Sequence, residues 1–152
     1  SLTDGFFTIN GCTLIDKDGG ADTAADLKSK TQGTLTNISW QGFGDNIRIR
    51  HSCESDCTTF KSDSYQNYLD GDLVIENSEW VGNATFADWV SVYGDEDCGA
   101  SGDDPCTITA QMQSDAVDIL SNAGNIIGTA VTRGADLSAF NTWSWAANTG
   151  NL

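Results

Sequence analysis

The chain has 152 residues, about the size of one domain, and 39% of them are hydrophobic. Acidic residues outnumber basic ones 22 to 7, which gives a formal net charge of -15. Such a surface repels nucleic acid and anionic membranes, and no apolar run approaches the roughly 20 residues that a spanning helix needs, so nucleic-acid binding and membrane insertion are excluded as predicted roles.

The first half of the chain predicts short β-strands separated by polar loops. Residues 1–15 predict two strands joined by a Gly-Cys turn, and residues 16–22 predict a loop rich in carboxylates. Residues 24–28 predict a single helical turn. Residues 34–40 are rich in β-branched side chains, and residues 46–50 alternate apolar with polar or basic side chains. Both patterns are typical of strands.

The second half continues this pattern with two excursions and one helix. Residues 51–71 and 94–105 predict polar excursions, each with cysteines, on either side of the principal strand at 72–82. Further strands are predicted at 89–93, 106–110 and 125–131. One short helix is predicted at 113–123, where apolar residues share a face. An aromatic-rich tail follows from residue 134.

One motif recurs along the chain. Asn-x-x-Trp-x-Gly occurs at residues 37–42 and again at 77–82, and a weaker copy lies at Phe7–Ile15. A motif repeated at intervals of a few tens of residues indicates units that stack on their neighbours. Asn tolerates the left-handed backbone conformation that a sharp corner needs. We therefore expect Trp40 and Trp80 to occupy equivalent, buried positions in units that run in the same direction.

Segments 33–42 and 71–82 resemble the rungs of secreted bacterial right-handed parallel β-helix proteins, and the tail from residue 134 to Trp145 is similar to their closing segment. The resemblance and the repeat together predict an all-β fold: a short right-handed parallel β-helix with disulfide-stapled loop inserts and one short helix. The alternative is a disulfide-bonded antiparallel β-sandwich. Residues 1–152 form a single extracellular domain in either case. The absence of an evident cap before the first strand suggests a fragment or a subunit of a larger assembly.

Five cysteines indicate an oxidising compartment, and hence an extracellular or cell-surface location. Cys53 and Cys57 are close in sequence, as are Cys98 and Cys106, which predicts two local disulfides while leaving the connectivity open. Cys12 is left over and is either a buried core thiol or a link to another subunit.

A calcium site is the one cofactor that the sequence suggests. Asp16, Asp18 and Asp22 place three carboxylates in a glycine-containing loop, and oxygen ligands are those that calcium prefers. The alternative interpretation is a flexible, solvated loop.

Two groups of residues are candidates for ligand binding. Trp143 and Trp145 lie in the polar tail and are candidates for an exposed sugar-stacking or partner-binding face. Arg48, Arg50 and His51 form a basic cluster of the kind a polysaccharide lyase uses, although a solvated strand face that balances a very acidic protein is the preferred interpretation. No catalytic residue is assigned.

The predicted function is that of an extracellular structural or adhesive protein without catalytic activity, for instance a subunit of a cell-surface filament or other assembly. Its expected partners are further copies of the same chain or other surface proteins. The alternative is a carbohydrate-binding or polysaccharide-degrading β-helix protein, with polysaccharide as the partner.

Overall fold

The computed structural model describes residues 6–16, 23–82, 85–94 and 105–136. This part of the chain contains nine strands and three helices, which pack as two sheets with helices at their margins. In chain order the elements are β1 (Phe7–Ile15), β2 (Ala25–Leu27), β3 (Gly33–Gln41), β4 (Ile47–Cys53), β5 (Phe60–Asp63), α1 (Ser64–Asp70), β6 (Leu73–Glu76), β7 (Glu79–Val81), α2 (Phe86–Trp89), β8 (Val90–Tyr93), α3 (Ala110–Asn122) and β9 (Ile126–Gly128).

Sheet A consists of β1, β3, β6, β7 and β9, and all of its pairs are parallel. The strand order is β1-β3-β7-β9, with β6 pairing with the first half of β3. The register places Leu14, Trp40, Trp80 and Ile127 opposite one another across four strands. The two repeats of the sequence motif therefore lie in register and run in the same direction, as predicted.

Sheet B is mixed. Strands β2 and β8 pair with β4 in parallel, whereas β5 pairs with the last residues of β4 in the antiparallel sense. The predicted right-handed parallel β-helix is therefore wrong, because the chain forms two sheets, one of them mixed, that do not close into a helix. The antiparallel β-sandwich is also wrong, because every pair in sheet A is parallel.

A left-handed residue interrupts each long segment of sheet A at the same place. Gly11, Asn37, Asn77 and Gly124 have φ of 69°, 52°, 46° and 70°. In a regular strand, alternate side chains face the same side. In β1, β3 and the β6–β7 segment, the left-handed residue shifts this alternation by one position, so that odd-numbered residues face the core before it and even-numbered residues after it. In β3 this accounts for the burial of Leu35 as well as Trp40.

The core lies between the sheets and is rich in tryptophan. The Trp40 and Trp80 rings are stacked with their centroids 6.5 Å apart, and Trp89 contacts Trp80 at 5.8 Å. Helix α3 contributes Ala116 and Leu120, both fully buried. Its N-cap is Thr109, whose side chain accepts a hydrogen bond from the Met112 amide and so satisfies one of the free donors of the first turn.

Three local predictions are corrected by the structure. Residues 24–28 do not form a helical turn, because Ala25–Leu27 pairs with Ile47–Ile49 as a strand of sheet B. The strand predicted at 106–110 is absent from the described residues, and α3 begins at Ala110 instead. The excursion at 51–71 contains β5 and α1 and packs on the body rather than leaving it.

The predicted local disulfide pairing is wrong. Cys53 is bonded to Cys106, 53 residues away in sequence, so neither of the two pairings expected from spacing is formed. Cys57 is disulfide-bonded as well. The bond at Cys53 ties the end of β4 to the segment that precedes α3.

Candidate functional site

A fully buried carboxylate anchors a segment that lies across sheet A. This segment, residues 131–136, is called the strap below. Thr132 donates its backbone N–H to both carboxylate oxygens of Glu79 at 2.9 Å, and its hydroxyl donates to Oε2 at 2.6 Å. Ser39 on β3 donates to Oε1 of the same carboxylate at 2.8 Å. Every hydrogen bond that Glu79 receives therefore comes from the strap or from the neighbouring strand.

The strap then crosses the remaining strands of sheet A. The Gly134 amide donates to the Asn37 side chain at 3.3 Å, and the Ala135 amide donates to the Thr13 hydroxyl at 3.0 Å. A Cβ at Gly134 would lie 2.5 Å from the Thr13 hydroxyl oxygen, so only glycine permits this close approach. The strap thus covers a polar column formed by Thr13, Ser39 and Glu79, which are register partners in adjacent strands.

The hydrogen bonds also set the protonation of the carboxyl group. Burial raises the pKa of Glu79, but the hydrogen bonds from Thr132, Ser39 and Arg133 outweigh it, so that the pKa lies below its ordinary value of 4.5. Gln41 donates to the Ser39 hydroxyl at 3.1 Å, which leaves that hydroxyl engaged on both sides. The arrangement suits a structural latch. It does not resemble a nucleophile beside a free base.

A cleft of about 530 Å³ opens beside the strap, between it and the ends of β1 and β3. Ile15 and Gln41 form one wall and the strap forms the other. Its polar side chains are held by internal contacts, since Gln41 donates to Ser39 and Arg133 donates to the Gly124 carbonyl at 2.9 Å. The cleft therefore offers a mostly apolar wall and no free catalytic group among the described residues.

His51 is held on both sides of its ring. Its Nδ1 lies 3.3 Å from a carboxylate oxygen of Asp63, and its Nε2 lies 2.9 Å from the Pro105 carbonyl oxygen. Phe60 and Tyr65 pack against the ring. Because Nε2 is directed at a backbone carbonyl next to Cys106, the histidine holds the disulfide segment in place and has no nitrogen free for a substrate.

The two arginines of the predicted basic cluster are also paired. Arg50 forms two hydrogen bonds with the Asp26 carboxylate, at 2.6 and 2.7 Å, and Arg48 contacts Asp45 at 2.6 Å. The hydrogen bond from Arg50 is the main reason that the pKa of Asp26 is lowered. The guanidinium groups of Arg48 and Arg50 both lie over the Tyr93 ring, 4.8 and 4.4 Å from its centroid respectively. The cluster thus joins β2, β4 and β8 and is more than the solvated strand face considered above.

Most of the predicted ligand sites lie outside the described residues. Of the calcium candidates the structure describes only Asp16, and Asp18 and Asp22 lie outside it, as do Trp143 and Trp145. Within the described ranges no group of three or more His, Cys, Asp or Glu side chains is placed to hold a metal ion. Cys12 is a free, half-buried thiol on β1.

The open edge of sheet A is the feature that the rest of the structure leaves unexplained. Strand β1 pairs with β3 on one side, and no described strand pairs with the other. Because no described strand covers this side of β1, large apolar side chains are exposed there. Ile9 and Ile15 are 42% and 45% exposed, and Phe6, just before the strand, is 64% exposed. No residue of β1 is charged. We therefore take this edge as the candidate site. The sequence pointed to it only because no cap is evident before the first strand.

Comparison with protein-family models, with curated proteins and with solved structures gives no match to this chain. Among the described helices, none is long and apolar enough to cross a membrane.

Proposed function

We propose that the chain is a non-catalytic structural or adhesive protein of an extracellular assembly, and that it joins this assembly through the open edge of β1. The observation that carries the proposal is the nine-residue uncharged strand at the end of sheet A. A strand edge presents free N–H and C=O groups that pair readily with another strand. Natural proteins usually protect such an edge with charged residues or proline, and β1 has neither.

The polar clusters support a structural role. Glu79, His51 and Arg50 each join elements that are distant in sequence, and each is engaged with internal partners. Groups that are used to hold the fold together in this way are not available to a substrate. The disulfide at Cys53 supports a location outside the reducing cytosol.

The test is to measure the association state of the wild-type chain and of Ile9→Lys over a range of protein concentrations. Light scattering after size exclusion gives the mass, and electron micrographs show any larger assembly. A lysine on the edge strand should disfavour pairing, because an added strand would partly remove its charge from water. Asn10→Lys, on the exposed part of the same strand, is a second variant in case Ile9→Lys folds poorly.

Leu69→Lys is the matched control. Leu69 on α1 is 41% exposed, close to the value for Ile9, so the two variants introduce the same charge at equally exposed apolar sites. We expect association in the wild type and in Leu69→Lys and its loss in both β1 variants. A wild-type chain that remains monomeric up to high concentration and in high salt would contradict the proposal.

A further inference from the structure

We infer that the partner at the open edge is a second copy of this chain, paired head to head through β1 about a two-fold axis. The inference rests on the proposed function and names the partner of the same edge. Three observations carry it: the β8 edge of sheet B is covered by a helix, β1 is uncharged in a strongly acidic chain, and β1 is much longer than β9, the other edge strand of sheet A.

In sheet B, the edge of β8 that does not pair with β4 is covered by helix α3. The side-chain amide of Gln113 pairs with both backbone groups of Val92 on β8: its oxygen accepts from the amide at 2.9 Å and its nitrogen donates to the carbonyl at 2.7 Å. Ala116 and Leu120 of the same helix pack into the core. The backbone of β8 is therefore satisfied at Val92 by a side chain rather than by a further strand.

The other edge strand of sheet A, β9, has three residues, whereas β1 has nine. Among the described strands, β1 is the longest with an unpaired edge, so pairing it with a second β1 joins more backbone groups than pairing it with β9. Copies that join through the same surface form a closed two-fold dimer, whereas head-to-tail contacts between different surfaces form open chains. The geometry therefore points to a dimer in preference to a filament.

Charge explains why a second copy is an acceptable partner at this edge. The formal net charge of -15 makes two copies repel each other over most of their surfaces. Strand β1 carries no charged residue, so antiparallel pairing of β1 with itself places no like charges opposite each other. Added salt screens the remaining repulsion, with a Debye length of about 10 Å at 0.1 M. We therefore expect dimerisation to become tighter as salt is added.

The test combines sedimentation equilibrium with thiol cross-linking. Asn10→Cys, in a Cys12→Ser background, places an exposed thiol near the middle of β1 and close to its counterpart when two β1 strands pair antiparallel, so a short bismaleimide should link two chains through it. Cys12→Ser is the control for the cross-link. We expect one product of twice the chain mass, a tighter dimer between 0.05 and 0.5 M NaCl by roughly tenfold, and a dissociation constant at least about tenfold higher in Ile9→Lys.

The outcomes separate this inference from the proposed function. A ladder of trimers and larger species would overturn the head-to-head pairing, because it requires two different surfaces, but would leave assembly through an edge intact. A dimer that both β1 variants leave unchanged would place the contact elsewhere and overturn the pairing. A chain that is monomeric under all of these conditions would overturn both.

Discussion

Glu79 and Thr132, 53 residues apart in sequence, are joined by three hydrogen bonds that hold the strap on sheet A. Both donor groups, the backbone N–H and the hydroxyl, belong to Thr132, so the carboxylate acts only as an acceptor. A fully buried group of this kind is stabilising only while the surrounding donors remain in place.

Glu79→Gln should release the strap. The amide is similar in shape, but its NH₂ group faces donors, so that at least one hydrogen bond is lost. We expect the free energy of unfolding to fall by about 1.5–3 kcal/mol, and amide exchange at Thr132 and Ala135 to accelerate. Chemical denaturation and hydrogen exchange measure the two effects. Glu76→Gln, on half-buried β6, is the control, and equal effects of the two substitutions would argue against the latch.

Acid should destabilise the protein through two carboxyl groups. The pKa of Glu79 is lowered from 4.5 by its hydrogen bonds, which outweigh burial, and that of Asp26 is lowered from 3.8 chiefly by Arg50. A folded-state pKa below the unfolded value gives stability that is present above the unfolded value and is lost as the pH falls. We therefore expect unfolding free energy to decline below about pH 4.5.

The double variant Glu79→Gln with Asp26→Asn isolates this contribution. It should be less stable than the wild type at pH 7 and should lose less stability on acidification. Denaturation at several pH values between 2 and 7 measures the slope. A slope unchanged in the double variant would show that other groups are responsible.

Gly124→Ala should cost more than Gly71→Ala, although both glycines have positive φ, at 70° and 81°. A Cβ at Gly124 would lie 2.7 Å from the Asn77 side-chain oxygen, whereas a Cβ at Gly71 would meet nothing within 4 Å. The backbone cost of roughly 1–2 kcal/mol is common to both. Thermal or chemical unfolding should show a further loss only for Gly124→Ala, and equal losses would contradict the stacked arrangement of these corners.

Removal of the long-range disulfide should be strongly destabilising. Cys53 and Cys106 close a loop of 53 residues, so their bond restricts the unfolded chain considerably. Paired replacement by serine should lower the unfolding free energy by about 2–5 kcal/mol. Cys12→Ser, at the free thiol, is the control and should have a small effect. A loss no larger than in this control would show that the bond contributes little.

The repeat allowed the sequence to predict that Trp40 and Trp80 occupy equivalent positions in segments that run in the same direction. The reason is physical: Asn37 and Asn77 adopt the left-handed conformation, and the shift in alternation that follows places Trp40 and Trp80 on the core side. In the N-terminal copy the equivalent corner is Gly11 rather than Asn10. Asn marked the corners at residues 37 and 77 because few residue types tolerate that backbone conformation, whereas the corner at Gly124 was not predicted.

Long-range features could not be predicted in this way. The sequence 24–28 is rich in alanine and indicates a helical turn, but pairing with β4 makes part of it a strand. Glu79 lies next to Trp80 in β7, and nothing in the local sequence indicates that its carboxylate is fully buried. It is buried because the strap, which follows β9, returns across the sheet. The partner of Cys53 is equally remote, so spacing favoured the wrong pairing.

Hydrogen exchange along β1 tests the central claim most directly. The amides of Phe7 and Asp16 donate to Gln32 and Gln41 on the β3 side. Successive amides alternate in direction, apart from the shift at the left-handed corner. The amides directed at the open edge are therefore those of Thr8, Asn10, Thr13 and Ile15.

We predict that these four amides exchange rapidly at low protein concentration and become protected as the concentration rises, while the alternate amides facing β3 are protected throughout. Protection of the four amides that does not change with concentration would show that the edge is already occupied. Rapid exchange at every concentration would show that it remains unpaired. Either result would contradict the account of β1 as the surface through which copies of this chain join.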